Sequence, residues 1–368
     1  MVERQSAVAV GKFGLDIGTP GIKSVGPLAF GPEGILFVGD NLGAAIFAID
    51  VGDDVANEQG EINIENLDKP LAAYLGCSRD DISIRDMAVH PSSQKVYLAV
   101  MRGSGEAAVP VLIRVGTDGH LSEVPLENVP FSQSLIEDAA DEDDPREVSR
   151  VPLRTVTLTD MSYVDGLLIV AGTSNEEFSS TLRRIPFPFN GDTQTNSLEI
   201  FHVSHGRYET AAPIRTFVPY DHNNSLMASY TCTPVVQFPI SDLKAGTHLM
   251  GKTVAELGAH NRPIDIVSYE LEGEEYLLIS NLNHPLTRIA CKDIDRQGSL
   301  TETDRSLDDA DRESIIRDGS LSPLVGAPRQ ELPHPGVSRM AVLNGSHVLM
   351  LQEDEAGIHL RSYATSTL

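Results

Sequence analysis

One strand–turn–strand phrase recurs six times along the 368 residues and limits what the chain can become. Its clearest copy is Gly26-Pro27-Leu28-Ala29-Phe30-Gly31-Pro32-Glu33-Gly34-Ile35-Leu36-Phe37-Val38-Gly39-Asp40: an apolar strand, a Pro/Gly turn, a second apolar strand and a polar loop. The copies align at residues 27, 86, 160, 216, 265 and 339, with spacings of 59, 74, 56, 49 and 74. A third run rich in Val, Ile, Leu and Tyr follows each pair, at 44–49, 111–115, 182–185, 234–238, 287–291 and 358–362. Such runs suit half-buried strands.

A repeat of about 50 residues built from strands and turns predicts the blades of a β-propeller. The expected fold is therefore all-β: one six-bladed propeller over residues 1–368, with acidic loop insertions at about 128–150 and 295–335. The last copy leaves little room for a fourth strand. The segment Ala7 to Phe13 is expected to supply it and close the ring, because closure removes the open sheet edge. The run from Ile136 to Pro145 reads as a solvated acidic loop, and Leu307 to Ile316 shows charges at helical spacing.

Charge narrows the partners. With 53 acidic against 28 basic side chains the net charge is −25, which excludes phosphate-rich nucleic acid as an expected partner and disfavours anionic membrane surfaces. No apolar run reaches about 18 residues, so no membrane insertion is expected. A soluble protein is expected, either cytoplasmic or, if a signal peptide has been removed, periplasmic or secreted. Cys77, Cys232 and Cys291 have no CxxC spacing and suggest neither a zinc ribbon nor a disulfide framework.

Chemistry is expected where the loops leading into the inner strands meet the loops joining second and third strands, since these share one face. His205, His260, His284 and His334 map there. Converging imidazoles bind divalent metals or act as general acids and bases, with zinc, iron, copper and calcium not distinguished by the sequence. The candidate metal ligands are thus His205, His260, His284, His334 and Asp265. The candidate catalytic residues are His205, His260, Arg215, Arg262, Tyr208 and Tyr230, the arginines suited to clamping an anionic small molecule. Cys232 reads as an inert buried thiol unless a base such as His205 or His260 lies beside it. His90 and His222 follow inner strands and belong at the opposite face.

The inner strands also align Asp86, Asp160 and Asp265 at one level, near Arg85, Arg215 and Arg339. Two readings stand: a ring of salt bridges joining blades, or an alternative hard-metal ring of Asp86, Asp160 and Asp265. Hydrolase or lyase chemistry at the channel mouth is one functional expectation. A non-catalytic propeller binding a protein or small molecule is the other.

The phrase from Gly26 to Asp40 resembles the blade phrase of six-bladed propellers of the NHL and gluconolactonase-like (SGL) type, and Met87–Ala99 resembles it in part. The resemblance implies the six-bladed fold and a divalent ion in the channel held by Glu, Asn and Asp. It departs at the first such ligand, a Glu before the Gly-Pro of the first blade, where this chain has Val25. No catalytic residue is carried over from it.

Overall fold

A computed structural model describes residues 11–53, 55, 60–258, 261–301 and 325–368. It shows a six-bladed β-propeller. Each copy of the phrase forms the inner two strands of one antiparallel sheet, and the third run pairs beside them. In the first blade these are Leu28–Phe30, Ile35–Asp40 and Ala45–Asp50. The turn between the first two needs Gly34, whose φ is +75° and whose missing Cβ leaves room for the His90 ring. His90, as expected of the opposite face, accepts backbone N–H groups from Ser92 and Ser93 at Nδ1.

Strand alternation explains how the blades stack, because successive side chains point to opposite faces of a sheet. Leu36 and Val38 join a core with Ala88, Tyr97 and Ala99 of the second blade. Ile35 and Phe37 point the other way, into a core with Met161, Leu168 and Val170 of the third. Six such cores occupy the six seams: second–first, first–third, third–fourth, fourth–fifth, fifth–sixth and sixth–second. The order around the ring is therefore not the order along the chain. The second blade (Ile82–Val89, Val96–Arg102, Val109–Val115, Leu121–Glu123) sits between the sixth and the first.

The outer strands accomplish this exchange. After the first blade the chain crosses to the sixth, where Asn63–Ile64 pairs with Gly357–Ala364 as its fourth strand. Helix Asp68–Leu75 then packs Leu71 and Leu75 into the sixth–second seam. After the second blade the chain returns, and Val129–Leu135 pairs with Ala45–Asp50 as the fourth strand of the first. Asp16–Gly18 pairs outside that strand. Closure thus differs from the expected N-terminal strand. Residues 1–10 lie outside the described residues, and Lys12–Gly14 is a short 3-10 turn. The sixth blade is completed from residues 63–64, a strand too short to register in the repeat pattern.

The acidic stretch near 140 is tied down rather than free. Asp138 accepts the guanidinium of fully buried Arg183, which also donates to the Thr157 and Thr173 carbonyls. In the second insertion Gln330–Leu332 is the outer strand of the fifth blade. The helical pattern at 307–316 lies outside the described residues. Among the described residues no helix is long and apolar enough to cross a membrane.

Candidate functional site

The chemistry gathers at the seam of the third and fourth blades. The third blade's outer strand, Gln194–His202, turns back on itself through residues 203–206 and continues as Arg207–Glu209. Ile200 is opposite Glu209 and His202 opposite Arg207, so period-two alternation puts His202 and Glu209 diagonally on one face. The turn carries His205 at its tip. From the fourth blade, the loop between Ser225–Tyr230 and Pro234–Pro239 brings Cys232 to the same point.

One donor atom each from His202, His205 and Cys232 lies within 4.8 Å of the others. The two imidazole centroids are 3.8 Å apart. Glu209 backs both rings: His205 Nδ1 is 2.6 Å from Oε1, and His202 Nδ1 is 3.2 Å from Oε2. On the far side of His202, Nε2 lies 3.1 Å from Thr233 Oγ1, and the Thr233 hydroxyl donates to Glu256. Glu256 also accepts from the Val203 N–H and the Ser204 hydroxyl.

These contacts favour a charged His202: Nδ1 faces the Glu209 carboxylate, and Nε2 faces a hydroxyl, Thr233, that donates to Glu256, so both ring nitrogens stand before acceptors. Burial opposes that charge, but Cys232, Glu209 and Glu256 outweigh it and raise the His202 pKa to about 9. Cys232 and Glu209 likewise raise His205 to about 9. Burial would push the Cys232 thiol up; the hydrogen bonds and charges of His202 and His205 instead bring it down to about 6. Glu209, despite burial, is held well below the usual carboxylate range by the same two rings. The base on which a reactive Cys232 is conditional, His205, is thus beside it, and the two rings favour its thiolate.

The cluster opens on a cavity of about 950 Å³ whose walls include His205, Tyr208, Cys232, Asn261, Arg262 and Asn283. Its components come from the loops of the third, fourth and fifth blades that share one face, where chemistry is expected. Of the sequence candidates, the structure brings together His205, Tyr208 and Arg262 here. His202, Glu209 and Glu256 were not singled out by sequence. The one available signal was alternation: His202 ends an apolar strand on its buried side, three residues before His205.

The other candidates go elsewhere. Tyr230 is 1% exposed and packs with Ile214 and Val236 in the third–fourth core, where burial raises its hydroxyl pKa strongly. It ends a strand, Ser225–Tyr230, that is buried along its whole length between the blades. His334 packs on Tyr363 at 4.6 Å and lines a separate cavity of about 230 Å³ with Gln352 and Arg361; burial lowers its pKa. His284 lies beside Gly258. His260 lies outside the described residues.

Arg215, Asp86, Asp160, Asp265 and Arg339 line a second cavity, of about 640 Å³, at the central channel. Here the carboxylates tie blade to blade. Asp86 accepts the Leu28 N–H (2.7 Å), Asp160 the Phe217 N–H (2.7 Å) and Asp265 the Met340 N–H (2.6 Å). Thr216 donates to Asp160 at 2.8 Å, and Arg339 lies 3.6 Å from Asp86. Burial and mutual repulsion raise Asp160 to about 8; burial, with Asp86 adding to it against Arg339, raises Asp265 to about 7.

No protein-family model matches the chain, and no curated protein matches it. Solved structures are similar in outline. A mitotic checkpoint complex chain has TM-score 0.39 and 9% identity, over 99% of this chain and 94% of that one. A streptogramin B lyase has TM-score 0.39 and 8% identity, over 95% and 97%. A PQQ-bound aldose sugar dehydrogenase from Streptomyces coelicolor has TM-score 0.39 and 14% identity, over 95% and 97%. Similarity at this level carries no statement about activity.

Proposed function

We propose that the protein is a small-molecule enzyme using Cys232 as a covalent nucleophile, with hydrolysis of an ester, thioester or activated amide as its reaction class. The observation that supports this is the gathering of Cys232, His202 and His205 at one point, with Glu209 within hydrogen-bond distance of both rings. A thiol with pKa about 6 is roughly 90% thiolate at pH 7, against about 1% at the ordinary 9.0.

In the first half-reaction Cys232 Sγ adds to the carbonyl carbon, and the carbonyl π electrons move to oxygen. The tetrahedral adduct collapses, its leaving group departs with the proton from His205, and a thioester remains. In the second, His205 takes a proton from water, the hydroxide adds to the thioester, and the acid leaves as Cys232 regains its thiolate. Glu209 orients His205 as the third group of such a triad does. His202 stabilises the thiolate throughout. Arg262, exposed on the cavity wall, suits an anionic group on the substrate.

p-Nitrophenyl acetate serves as the probe. The expected result is a stoichiometric burst of p-nitrophenolate, an acetyl group on Cys232 by mass spectrometry, and loss of both in Cys232→Ser. His205→Gln should slow turnover by about 10²–10⁴, the usual worth of a positioned acid–base group. Equal burst and turnover in Cys232→Ser would overturn the proposal.

The proximity of the three donors favours a second reading, a zinc-type centre on Cys232, His202 and His205 that serves a metal-dependent hydrolase. It requires His202 to give up Thr233 or Glu209. Elemental analysis of protein purified without chelator separates the two: one equivalent of zinc supports the metal centre, and metal-free protein with an acylated Cys232 supports the nucleophile.

A further inference from the structure

We infer that the central channel holds a second small-molecule site, distinct from the Cys232 cavity, that takes an oxyanion: a small carboxylate or phosphate. The channel holds guanidinium donors that the fold leaves unspent. The cavity of about 640 Å³ is of ligand size. Of the four acidic side chains at the cavity, Asp80 is an exposed residue of its rim, and the three at the level of the inner strands are already engaged, since Asp160 and Asp265 each accept N–H groups from their own blade and from the next. Asp86 accepts the Leu28 N–H and faces Arg339. Arg339 is engaged too: it donates to the Arg85 and Ser338 carbonyls.

The remaining donors are not. Among the described residues the side chains of Arg85 and Arg215 make no hydrogen bond and no ion pair, yet both line the cavity. Burial and the like charges of Arg339 and Arg262 act against the charge of Arg215, and Asp265 and Asp160 act for it without either forming an ion pair with it. A guanidinium offers five N–H groups in a planar fork, which matches a carboxylate or phosphate two bonds at a time. Two such forks at one cavity, beside a third guanidinium and against one exposed rim carboxylate, Asp80, describe an anion site. A cation would meet carboxylates whose oxygens the strands already hold.

The test uses the full chain and isothermal titration at low ionic strength with two probes, citrate and inorganic phosphate. Saturable binding of either supports the site, citrate pointing to a carboxylate ligand and phosphate to a phosphorylated one. Arg215→Gln and Arg85→Gln should each weaken binding at least about tenfold, one lost charge-assisted pair being worth that much. Each variant is first checked for wild-type circular dichroism and thermal midpoint; if one fails to fold, the other carries the test. Arg215→Lys should recover only part of the affinity. Cys232→Ser should bind as wild type, so failure of the nucleophile proposal leaves this result standing. Binding of neither probe, binding unchanged in both glutamine variants, or binding of calcium chloride alone would overturn the inference.

Discussion

Replacing Glu209 with glutamine removes one negative charge from behind two imidazoles and leaves the size of the side chain unchanged. The carboxylate sits 2.6 Å from His205 Nδ1 and 3.2 Å from His202 Nδ1. An opposite charge at such range shifts a pKa by roughly 1–3 units. Both imidazoliums should lose proton affinity, and Cys232, which depends on them, should move up from about 6 by about one to two units. At pH 6 the thiolate fraction then falls from about one half to between about a tenth and a hundredth. The assay is the pH dependence of iodoacetamide alkylation, followed on the Cys232 peptide by mass spectrometry so that Cys77 and Cys291 do not contribute. Wild type should show a midpoint near 6, and Glu209→Gln a midpoint near 7 to 8. A wild-type midpoint near 9, or one that Glu209→Gln fails to move, would refute the ion-cluster reasoning.

Three further outcomes are expected. Asp160 titrates near 8 when folded against 3.8 unfolded, so the folded state alone keeps the proton between those values, and stability should fall as pH rises through that window; Asp160→Asn should flatten that part of a thermal-midpoint profile, and an unchanged slope counts against the buried carboxyl. Gly172→Ala should destabilise by about 1–3 kcal/mol in urea unfolding, because a Cβ there would stand 1.9 Å from the Thr157 carbonyl oxygen; a neutral result would mean the first–third seam is looser than described. Ile62→Ala should cost about 2–5 kcal/mol, since Ile62 is 1% exposed in the sixth–second seam, and near-neutrality would refute the exchanged blade order.

The six blades were legible because every inner pair carries the same apolar phrase, with turn residues at fixed offsets. Their order around the ring was not. Leu36 and Phe37 look alike whichever neighbours they meet, and the strands that decide the order are very short, such as Asn63–Ile64, or hidden at the start of an acidic stretch, as Val129–Leu135 is. At the site, His205, Tyr208 and Arg262 were found through loop position, which the repeat fixes. His202 and Glu209 were not, because they lie on a hairpin added beyond the blade, where the repeat supplies no register. Tyr230 closes a strand buried on both sides, and Cys232, two positions on in the loop past the strand end, is the group that reaches the cavity. The carboxylate ring was legible as a level, and its role in holding blades together needed the N–H partners that only packing reveals.

The crossing of residues 61–67 to the sixth blade has a consequence for a chain made on the ribosome. Ile62 hydrogen-bonds with Ser362, 300 residues later, and Asn66 with His359. Until residues 357–364 emerge, this segment has no strand to join, the second blade has one bare flank, and its apolar seam stays in water. Synthesis therefore does not finish one blade after another: the first waits for residues 129–135, and the sixth blade and its seam with the second close only when residues 337–364 arrive. Such late pairing of distant segments slows folding and leaves apolar surface open to wrong partners meanwhile. A nascent chain stalled before residue 357 should thus bind a hydrophobic chaperone strongly, and release it only as the last strands arrive.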